Sequence, residues 1–213
     1  MIDIFKTING MIIDGKFNDI EEQVQQAVDT GTDLNRLIND ALISAMDIVG
    51  KRFSDGEIYV PEMLVSAKTM KLGLNIIKPL LKSGETENRG TIVMGTVKGD
   101  LHDIGKNLVT MMMEGAGFKI IDLGVDVKID NLVETLKKEK ADILGLSALL
   151  TTTMPEMQNV IAVLKEAGLR NHVKVIVGGA PIDQVFADKI GADGYGKDAA
   201  GAVQLARELM SEK

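Results

Sequence analysis

The sequence predicts two domains of different fold class: a four-helix bundle, then a doubly wound α/β domain with a five-stranded parallel sheet. Three observations support this. Apolar residues recur at helical spacing through the first part of the chain, and short apolar runs alternate with helical segments after residue 90. Between the two patterns, 83–90 is polar and lacks periodicity, which is typical of a linker. We therefore expect a helical domain over 1–86 and an α/β domain over 87–213.

The first domain is predicted from four segments with apolar residues at helical spacing. Gly15, Gly31 and the turn at Gly56 interrupt the pattern, and Pro61 suits the first turn of the last helix. Four helices in a stretch of this length form a small bundle. The predicted helices cover 2–14, 17–30, 33–51 and 60–82.

The second domain is predicted from alternating strand and helix patterns, which favour a parallel sheet with right-handed crossovers. We expect the flavodoxin-like or Rossmann-like strand order 2-1-3-4-5, in which ligands bind outside the carboxyl ends of the strands. The predicted strands are 91–97, 118–123, 142–147, 173–178 and a short one near 193–195. The predicted helices are 104–116, 129–139, 154–168, 181–189 and 198–211.

Composition excludes several classes of function. The 213 residues contain no cysteine and two histidines, which excludes disulfides, cysteine-ligated metal clusters, a thiol nucleophile and a multi-histidine metal site. The net charge of −7 argues against nucleic acid as a partner. No apolar run approaches the roughly 20 residues that span a bilayer, and the first residues lack a signal-peptide pattern. We therefore expect a cytoplasmic protein without a membrane partner.

The loop after the first predicted strand reads Gly99-Asp100-Leu101-His102-Asp103-Ile104-Gly105. A histidine two residues after an aspartate is the arrangement expected of an imidazole whose second nitrogen is held by a carboxylate. Such pairing fixes the tautomer and strengthens the imidazole as a metal ligand. The plainer alternatives are that His102 is a surface or capping residue and that Asp100 caps the next helix.

Two other strand ends carry unusual residues. The third strand ends at Ser147, and Thr151, Thr152 and Thr153 follow it. Capping of the next helix would account for one of these four hydroxyls. The fourth strand ends in Gly178-Gly179, which either forms a simple turn or lets a ligand or another backbone come close. Neither stretch matches a phosphate-binding glycine motif.

Taken together, Asp100-x-His102-x-x-Gly105, Ser147-x-Leu149 and Gly178-Gly179 resemble the signature of cobalamin-binding domains of the methionine synthase type. The segment from Phe53 to Leu64 resembles that family's helical cap. The resemblance covers nearly the whole chain, and it is closest for the stand-alone corrinoid proteins of methyltransferase systems in methanogens and acetogens.

The resemblance implies roles for individual residues. His102 would be the lower axial ligand of cobalt and replace the cofactor's own base. Asp100 would hydrogen-bond the other imidazole nitrogen, and a hydroxyl of the Thr151–Thr153 segment, with Thr153 better placed, would extend the network. Phe53 and Val60 of the cap would shield the upper face of the corrin. The residues expected along the nucleotide tail and the rest of the cofactor are Asp103, Gly105, Ser147, Leu149, Gly178, Gly179 and Ala199.

The same resemblance implies a carrier rather than an enzyme that acts alone. The chain would bind cobalamin or a related corrinoid, with methylcobalamin as the loaded form, and carry a methyl group from a substrate-specific methyltransferase to an acceptor methyltransferase. A reductive activator would be a further partner. Methanol, methylamines, betaines and aryl methyl ethers all stay open as methyl donors, and tetrahydrofolate and coenzyme M as acceptors.

Three alternatives stay open at this point. A cobalamin-dependent sensor or regulator would need a DNA-binding module, and the first helices offer no basic recognition helix. The small subunit of a cobalamin mutase shares the Asp-x-His-x-x-Gly loop but usually lacks the segment from Phe53 to Leu64. The third is a flavodoxin-like domain with an unrelated ligand.

Overall fold

The computed structural model of the chain describes residues 3–80 and 89–211. It divides into two compact units, one of Met1–Asn88 with Gly115–Gly117, the other of Arg89–Glu114 with Phe118–Lys213. The predicted domain boundary after residue 86, and the predicted linker up to residue 88, lie outside the described residues. Within the described ranges, no helix is long and apolar enough to cross a membrane.

The first unit is helical, as the apolar periodicity predicts. Its first helix begins after Asp3, whose side chain accepts a hydrogen bond from the Phe5 N–H. Pro61 lies in the first turn of the last long helix, where the missing N–H costs nothing. The helices are α1 (Ile4–Ile13), α2 (Ile20–Asp29), α3 (Leu34–Arg36), α4 (Ser44–Ser54) and α5 (Val60–Ile77), followed by a 3₁₀ turn (Lys78–Leu80).

The helix predicted over 33–51 differs from expectation in its middle. Between α3 and α4 the backbone forms a π-helix over Leu37–Ile43. The Asn9 side-chain amide donates to the Ala41 carbonyl oxygen over 3.2 Å and to the Ser44 hydroxyl over 2.9 Å. A contact between residues so far apart in sequence stabilises the irregular segment, and periodicity cannot reveal it.

The second unit contains five parallel strands in the order β2-β1-β3-β4-β5, as predicted. The strands are β1 (Thr91–Thr96), β2 (Lys119–Asp122), β3 (Ile143–Ser147), β4 (Lys174–Gly178) and β5 (Gly194–Tyr195). The helices are α6 (Ile104–Gly115), α7 (Ile129–Glu139), α8 (Met154–Glu166), α9 (Gln184–Ile190) and α10 (Ala199–Ser211).

The interior strand β1 is buried along its whole length and pairs with β2 on one side and β3 on the other. Helices cover the sheet, and the apolar core packs around residues such as Val93, Leu144 and Val175, none of which exposes any surface. Thr96 at the end of β1 is in register with Ser147, and Ser147 is in register with Gly178. The carboxyl ends of β1, β3 and β4 therefore lie next to one another, where ligands bind in such sheets.

Candidate functional site

The loop between β1 and α6 presents an exposed histidine on a buried carboxylate. The His102 side chain is 51% exposed, whereas the Asp100 side chain is completely buried. His102 Nδ1 lies 2.8 Å from Asp100 Oδ1, and the His102 backbone N–H donates to the same oxygen over 3.1 Å. Two bonds to one oxygen fix the orientation of the ring. The described residues offer Nε2 no hydrogen bond.

The second carboxylate oxygen of Asp100 is held by the chain that follows β3. It accepts hydrogen bonds from the backbone N–H groups of Leu149, over 2.8 Å, and Leu150, over 3.2 Å. The hydroxyl of Thr153, a buried side chain, donates to it over 2.8 Å. The carboxylate thus bridges the ends of two neighbouring strands, and it does not cap α6.

The electrostatics of Asp100 favour the charged form. Burial opposes ionisation, but the hydrogen bonds from the Leu149 N–H, His102 and the Thr153 hydroxyl outweigh it and hold the pKa of Asp100 well below its ordinary value. A carboxylate only accepts hydrogen bonds, so the proton between the two side chains belongs to Nδ1. The neutral imidazole therefore presents its lone pair at Nε2, as a metal ligand must.

Large apolar side chains are exposed on the loop that carries His102 and on the neighbouring chain after β3. Leu101 is 72% exposed and Ile104 87%, and both flank His102 in the chain. Leu149 and Leu150, whose amides hold Asp100, are also exposed. Several exposed leucines and isoleucines on adjoining loops are typical of a ligand-binding or interaction surface. These groups fit a large cofactor that has apolar surface and a metal centre able to accept a nitrogen ligand.

The glycines at the same edge of the sheet differ in what surrounds them. A Cβ atom on Gly105 would meet nothing within 4 Å, so this part of the loop faces open space. Gly179 has a φ of +132°, and a Cβ there would lie 1.9 Å from the Ala148 carbonyl oxygen. Close approach of the β3 and β4 ends therefore requires Gly179 for packing. At Gly178 a Cβ would lie 3.2 Å from the Gly196 carbonyl oxygen.

The remaining predicted residues fall outside the hydrogen-bonded cluster. Asp103 lies just before α6 and accepts a 3.0 Å hydrogen bond from the Asn107 side chain. Thr151 is exposed, and Ala199 is buried at the start of α10. In the helical unit, Phe53 is half-buried near the end of α4, and Val60 is 40% exposed where α5 begins. The structure therefore joins Asp100, His102, Leu149 and Thr153 by direct contacts.

Sequence reasoning missed two groups that support the loop. The hydroxyl of Thr96, a completely buried residue, donates to the His102 carbonyl oxygen over 2.9 Å, and the Leu150 N–H is a second backbone donor to Asp100 Oδ2. A threonine at the end of an otherwise apolar strand is a weak signal for the first. A backbone amide leaves no signal in the sequence for the second.

Comparison with known proteins agrees with this geometry. A family model described as a B12 binding domain matches residues 90–204, and a second model of the same description matches residues 4–78. A corrinoid protein from Desulfitobacterium hafniense is 45% identical over 94% of each chain. Dimethylamine corrinoid protein 1 from Methanosarcina acetivorans is 42% identical over 98% of each chain.

Solved structures show the same architecture. The chain resembles one in the methanol:cobalamin methyltransferase complex of Methanosarcina barkeri, with a TM-score of 0.88, 33% identity and coverage of 99% of this chain and 80% of that one. A cobalamin-binding protein from Desulfitobacterium hafniense gives a TM-score of 0.80 at 33% identity, over 98% of this chain and 99% of that one.

A helical unit joined to a doubly wound sheet that displays a carboxylate-held histidine defines the class of B12-binding proteins. Within that class, the chain belongs to the family of corrinoid proteins. It is a methyl-carrying protein that binds a corrinoid and works with methyltransferase partners. This favours the predicted carrier over the sensor, mutase-subunit and unrelated-ligand alternatives.

Proposed function

We propose that His102 Nε2 is the protein ligand of the corrinoid cobalt, and that the chain takes a methyl group from a methylated amine. The observation that carries the first part is the 2.8 Å hydrogen bond between His102 Nδ1 and the buried Asp100 carboxylate. In the neutral imidazole this bond fixes the proton on Nδ1 and leaves the lone pair on Nε2, and two bonds to one oxygen orient the residue.

When bound, the cobalt supplies a nucleophilic metal centre that can accept a methyl group and release it to another carrier. The protein's residues orient the ligand to that centre. Asp100 keeps the proton on Nδ1, since its low pKa makes it a hydrogen-bond acceptor across the physiological range. The Leu149 and Leu150 amides and the Thr153 hydroxyl hold the carboxylate in place. The imidazole is therefore already oriented before the cofactor binds.

We assign the other predicted residues around this ligand by their position in the fold. Ser147, Leu149, Gly178 and Gly179 lie at the ends of β3 and β4, and the open space at Gly105 suits the close approach of a bulky group. These residues would line the cofactor's nucleotide tail, together with Asp103 and Ala199. Residues 1–86 would act as the cap, with Phe53 and Val60 over the methyl group, and 87–213 as the cofactor-binding domain.

The methyl donor is proposed from the relatives' names. Relatives that are 42–48% identical are dimethylamine corrinoid proteins, and two that are 43% and 44% identical are trimethylamine corrinoid proteins. Among the solved structures, the chain in the methanol complex is 33% identical and a monomethylamine corrinoid protein is 35% identical. A methylated amine is therefore favoured over methanol. A reductive activator as a further partner and a cytoplasmic location stay predictions.

The ligand assignment is tested by labelling, because the chain has two histidines, His102 and His172. The full chain, grown with ¹⁵N-histidine, is loaded with hydroxocobalamin, desalted and reduced to Co(II). A ¹⁵N doublet in the electron paramagnetic resonance spectrum identifies a protein histidine on cobalt, whereas a ¹⁴N triplet identifies the cofactor's own base. We expect the doublet in the wild-type chain and in His172→Ala, and its loss in His102→Ala. A wild-type triplet would refute the assignment.

The donor is tested separately with the loaded chain, chemically reduced to Co(I), and a methyltransferase specific for each donor. Dimethylamine, trimethylamine, betaine and methanol are each offered as donor, and methylation of the corrinoid is followed by its visible absorption. We expect a methylated amine to support transfer. Transfer from methanol alone would contradict the proposed donor and leave the His102 assignment untouched.

A further inference from the structure

The segment that follows β2 runs beside the histidine loop, although nothing in the proposed cofactor site uses it. Three backbone hydrogen bonds continue the pairing of β1 and β2 past the strand ends. The Leu123 N–H donates to Met94 over 2.9 Å, the Thr96 N–H to Gly124 over 3.0 Å, and the Val127 N–H to Thr96 over 3.0 Å. These bonds fix the loop after β2 to β1, the strand that leads into the loop with Asp100 and His102.

Asp126, which directly precedes Val127 in this segment, makes two further hydrogen bonds to the histidine loop. Its backbone N–H donates to the Asp100 carbonyl oxygen over 3.0 Å. Its side-chain Oδ1 accepts the Gly99 N–H over 2.7 Å. One residue therefore holds both ends of the Gly99–Asp100 dipeptide, from which the Asp100 side chain reaches down to His102.

The backbone of Asp126 is in a conformation that L-residues rarely adopt. Its φ is +51°, and in the described part of the chain the one other non-glycine residue with positive φ is Lys140, at +49°. Lys140 ends α7 in the left-handed conformation common at helix C-termini. Asp126 ends no helix, and α7 begins three residues later, at Ile129. Such a conformation persists where its surroundings hold it in place, and the two bonds to the histidine loop do so.

We propose that Asp126 is a positioning residue for His102, acting through the Gly99–Asp100 backbone. This inference rests on the proposed ligation of cobalt by His102. Without the Asp126 acceptor, the Gly99 N–H turns to solvent and the Asp100 backbone gains freedom. The imidazole then spends less of its time in the orientation that directs Nε2 at the metal. Asp126 touches neither His102 nor, on this account, the cofactor.

Three substitutions of Asp126 separate the effect of losing its side-chain acceptor from the effect of its strained backbone conformation. Asp126→Asn keeps a carbonyl oxygen in the Oδ1 position and tolerates the left-handed conformation. Asp126→Gly relieves the conformation but removes the acceptor, so it folds without added strain. Asp126→Ala removes the acceptor and keeps the strain. Lys140→Gly is the matched control, since it relieves the same backbone conformation away from the histidine loop.

Two measurements are made on each full-length variant. The first is amide hydrogen exchange at Gly99 in the cofactor-free chain, which reports the Asp126 hydrogen bond directly. The second is the fraction of Co(II) that shows the ¹⁵N-histidine doublet at saturating hydroxocobalamin. A residue that only stabilised the fold would change the amount of folded protein without changing this fraction.

We expect Asp126→Gly and Asp126→Ala to raise the Gly99 exchange rate and to lower the ratio of histidine-bound to histidine-free cobalt by about fivefold, the equivalent of one hydrogen bond. Asp126→Asn and Lys140→Gly should stay within about twofold of wild type in both measurements, below the smallest usual hydrogen-bond contribution. Together these results would establish the positioning role.

The inference is overturned if Asp126→Gly keeps the wild-type ratio, or if Asp126→Asn loses as much as Asp126→Gly does. Both outcomes are read against a wild-type chain that shows the ¹⁵N doublet. A wild-type chain without the doublet refutes the proposed His102 ligation itself, and this inference with it. The two failures are therefore distinguished by the wild-type spectrum.

Discussion

The loops after β1 and β4 lie at the same edge of one sheet but are built in opposite ways. The β1 loop presents side chains, and both carboxylate oxygens of Asp100 accept hydrogen bonds from the loop itself or from the chain after β3. The β4 loop presents backbone, because the Ala148 carbonyl leaves no room for a side chain at Gly179. One loop is organised by hydrogen bonding and the other by the space between backbones.

This difference indicates what kind of substitution each loop tolerates. In the β1 loop a change of charge or donor should matter more than a change of volume, since Gly105 faces open space and Leu101 and Ile104 are exposed. In the β4 loop a single methyl group should matter most. Four substitutions test this contrast, and their expected effects decrease in the order given.

Gly179→Ala should have the largest effect. The added Cβ would lie 1.9 Å from the Ala148 carbonyl oxygen, and the φ of +132° is unfavourable for alanine. Strain and overpacking together should lower the free energy of unfolding by about 3 kcal/mol or more. Urea unfolding of the cofactor-free chain measures the loss. Wild-type stability would mean that the two strand ends do not approach as closely as described.

Asp100→Asn should have the next largest effect and lower the free energy of unfolding by about 2–3 kcal/mol at neutral pH. The reason is that an amide replaces a buried carboxylate that accepts hydrogen bonds from several donors. The folded-state pKa of Asp100 lies below its unfolded value of about 4. Its contribution is therefore fully present above that pH and is lost as the pH falls further.

The pH dependence provides the internal control for Asp100→Asn. The difference in unfolding free energy between wild type and variant should be largest at neutral pH and should shrink as urea unfolding is repeated at progressively lower pH below about 4. A difference that is the same at neutral and acidic pH would show that the ionised carboxylate does not stabilise this loop.

Thr153→Val should cost about 1–2 kcal/mol, because it removes one donor to a buried carboxylate and keeps the volume of the side chain. Thr153→Ser retains the hydroxyl and serves as the matched control. Its loss of a methyl group leaves the hydrogen bond in place. A valine variant as stable as the wild type, measured by urea unfolding, would exclude an energetic role for this bond.

Gly105→Ala should have the smallest effect on stability and the opposite sign. Gly105 lies in the first turn of α6, and its added Cβ meets no atom within 4 Å. Alanine favours the helix over glycine by about 0.5–1 kcal/mol, so the cofactor-free chain should become more stable. Retention of hydroxocobalamin after desalting should nevertheless fall, because the methyl group enters space proposed for the cofactor. Unchanged retention would remove Gly105 from the proposed binding surface.

Much of the fold follows from the sequence because its signals are local. All five strands, their order and the helices between them were predicted from apolar runs and periodicity, and α7 lies where expected, at Ile129–Glu139. The Asp100–His102 hydrogen bond was also predicted, since the two residues are neighbours on one loop. The Thr153 hydroxyl was selected among three candidates by its spacing, and its contact with Asp100 agrees with that choice.

Several features could not be predicted, for a common physical reason. The Leu150 amide and the bonds of Asp126 reach the histidine loop because strand pairing brings them there, and the Thr96 hydroxyl contacts His102 because the loop folds back on the end of β1. Backbone donors carry no residue identity, so no sequence pattern marks them. The π-helix between α3 and α4 likewise depends on Asn9 from a different helix.

The sequence alone determined the fold class, the strand order and the paired carboxylate and imidazole, because each depends on periodicity or on residues adjacent in the chain. Tertiary structure alone decided how that pair is held. Pairing of β1 with β2 and β3 brings hydrogen-bond partners from both neighbouring loops to Gly99 and Asp100. It also settled whether Gly179 is a simple turn or a close contact, since the answer depends on the position of the Ala148 carbonyl oxygen, which directly follows β3.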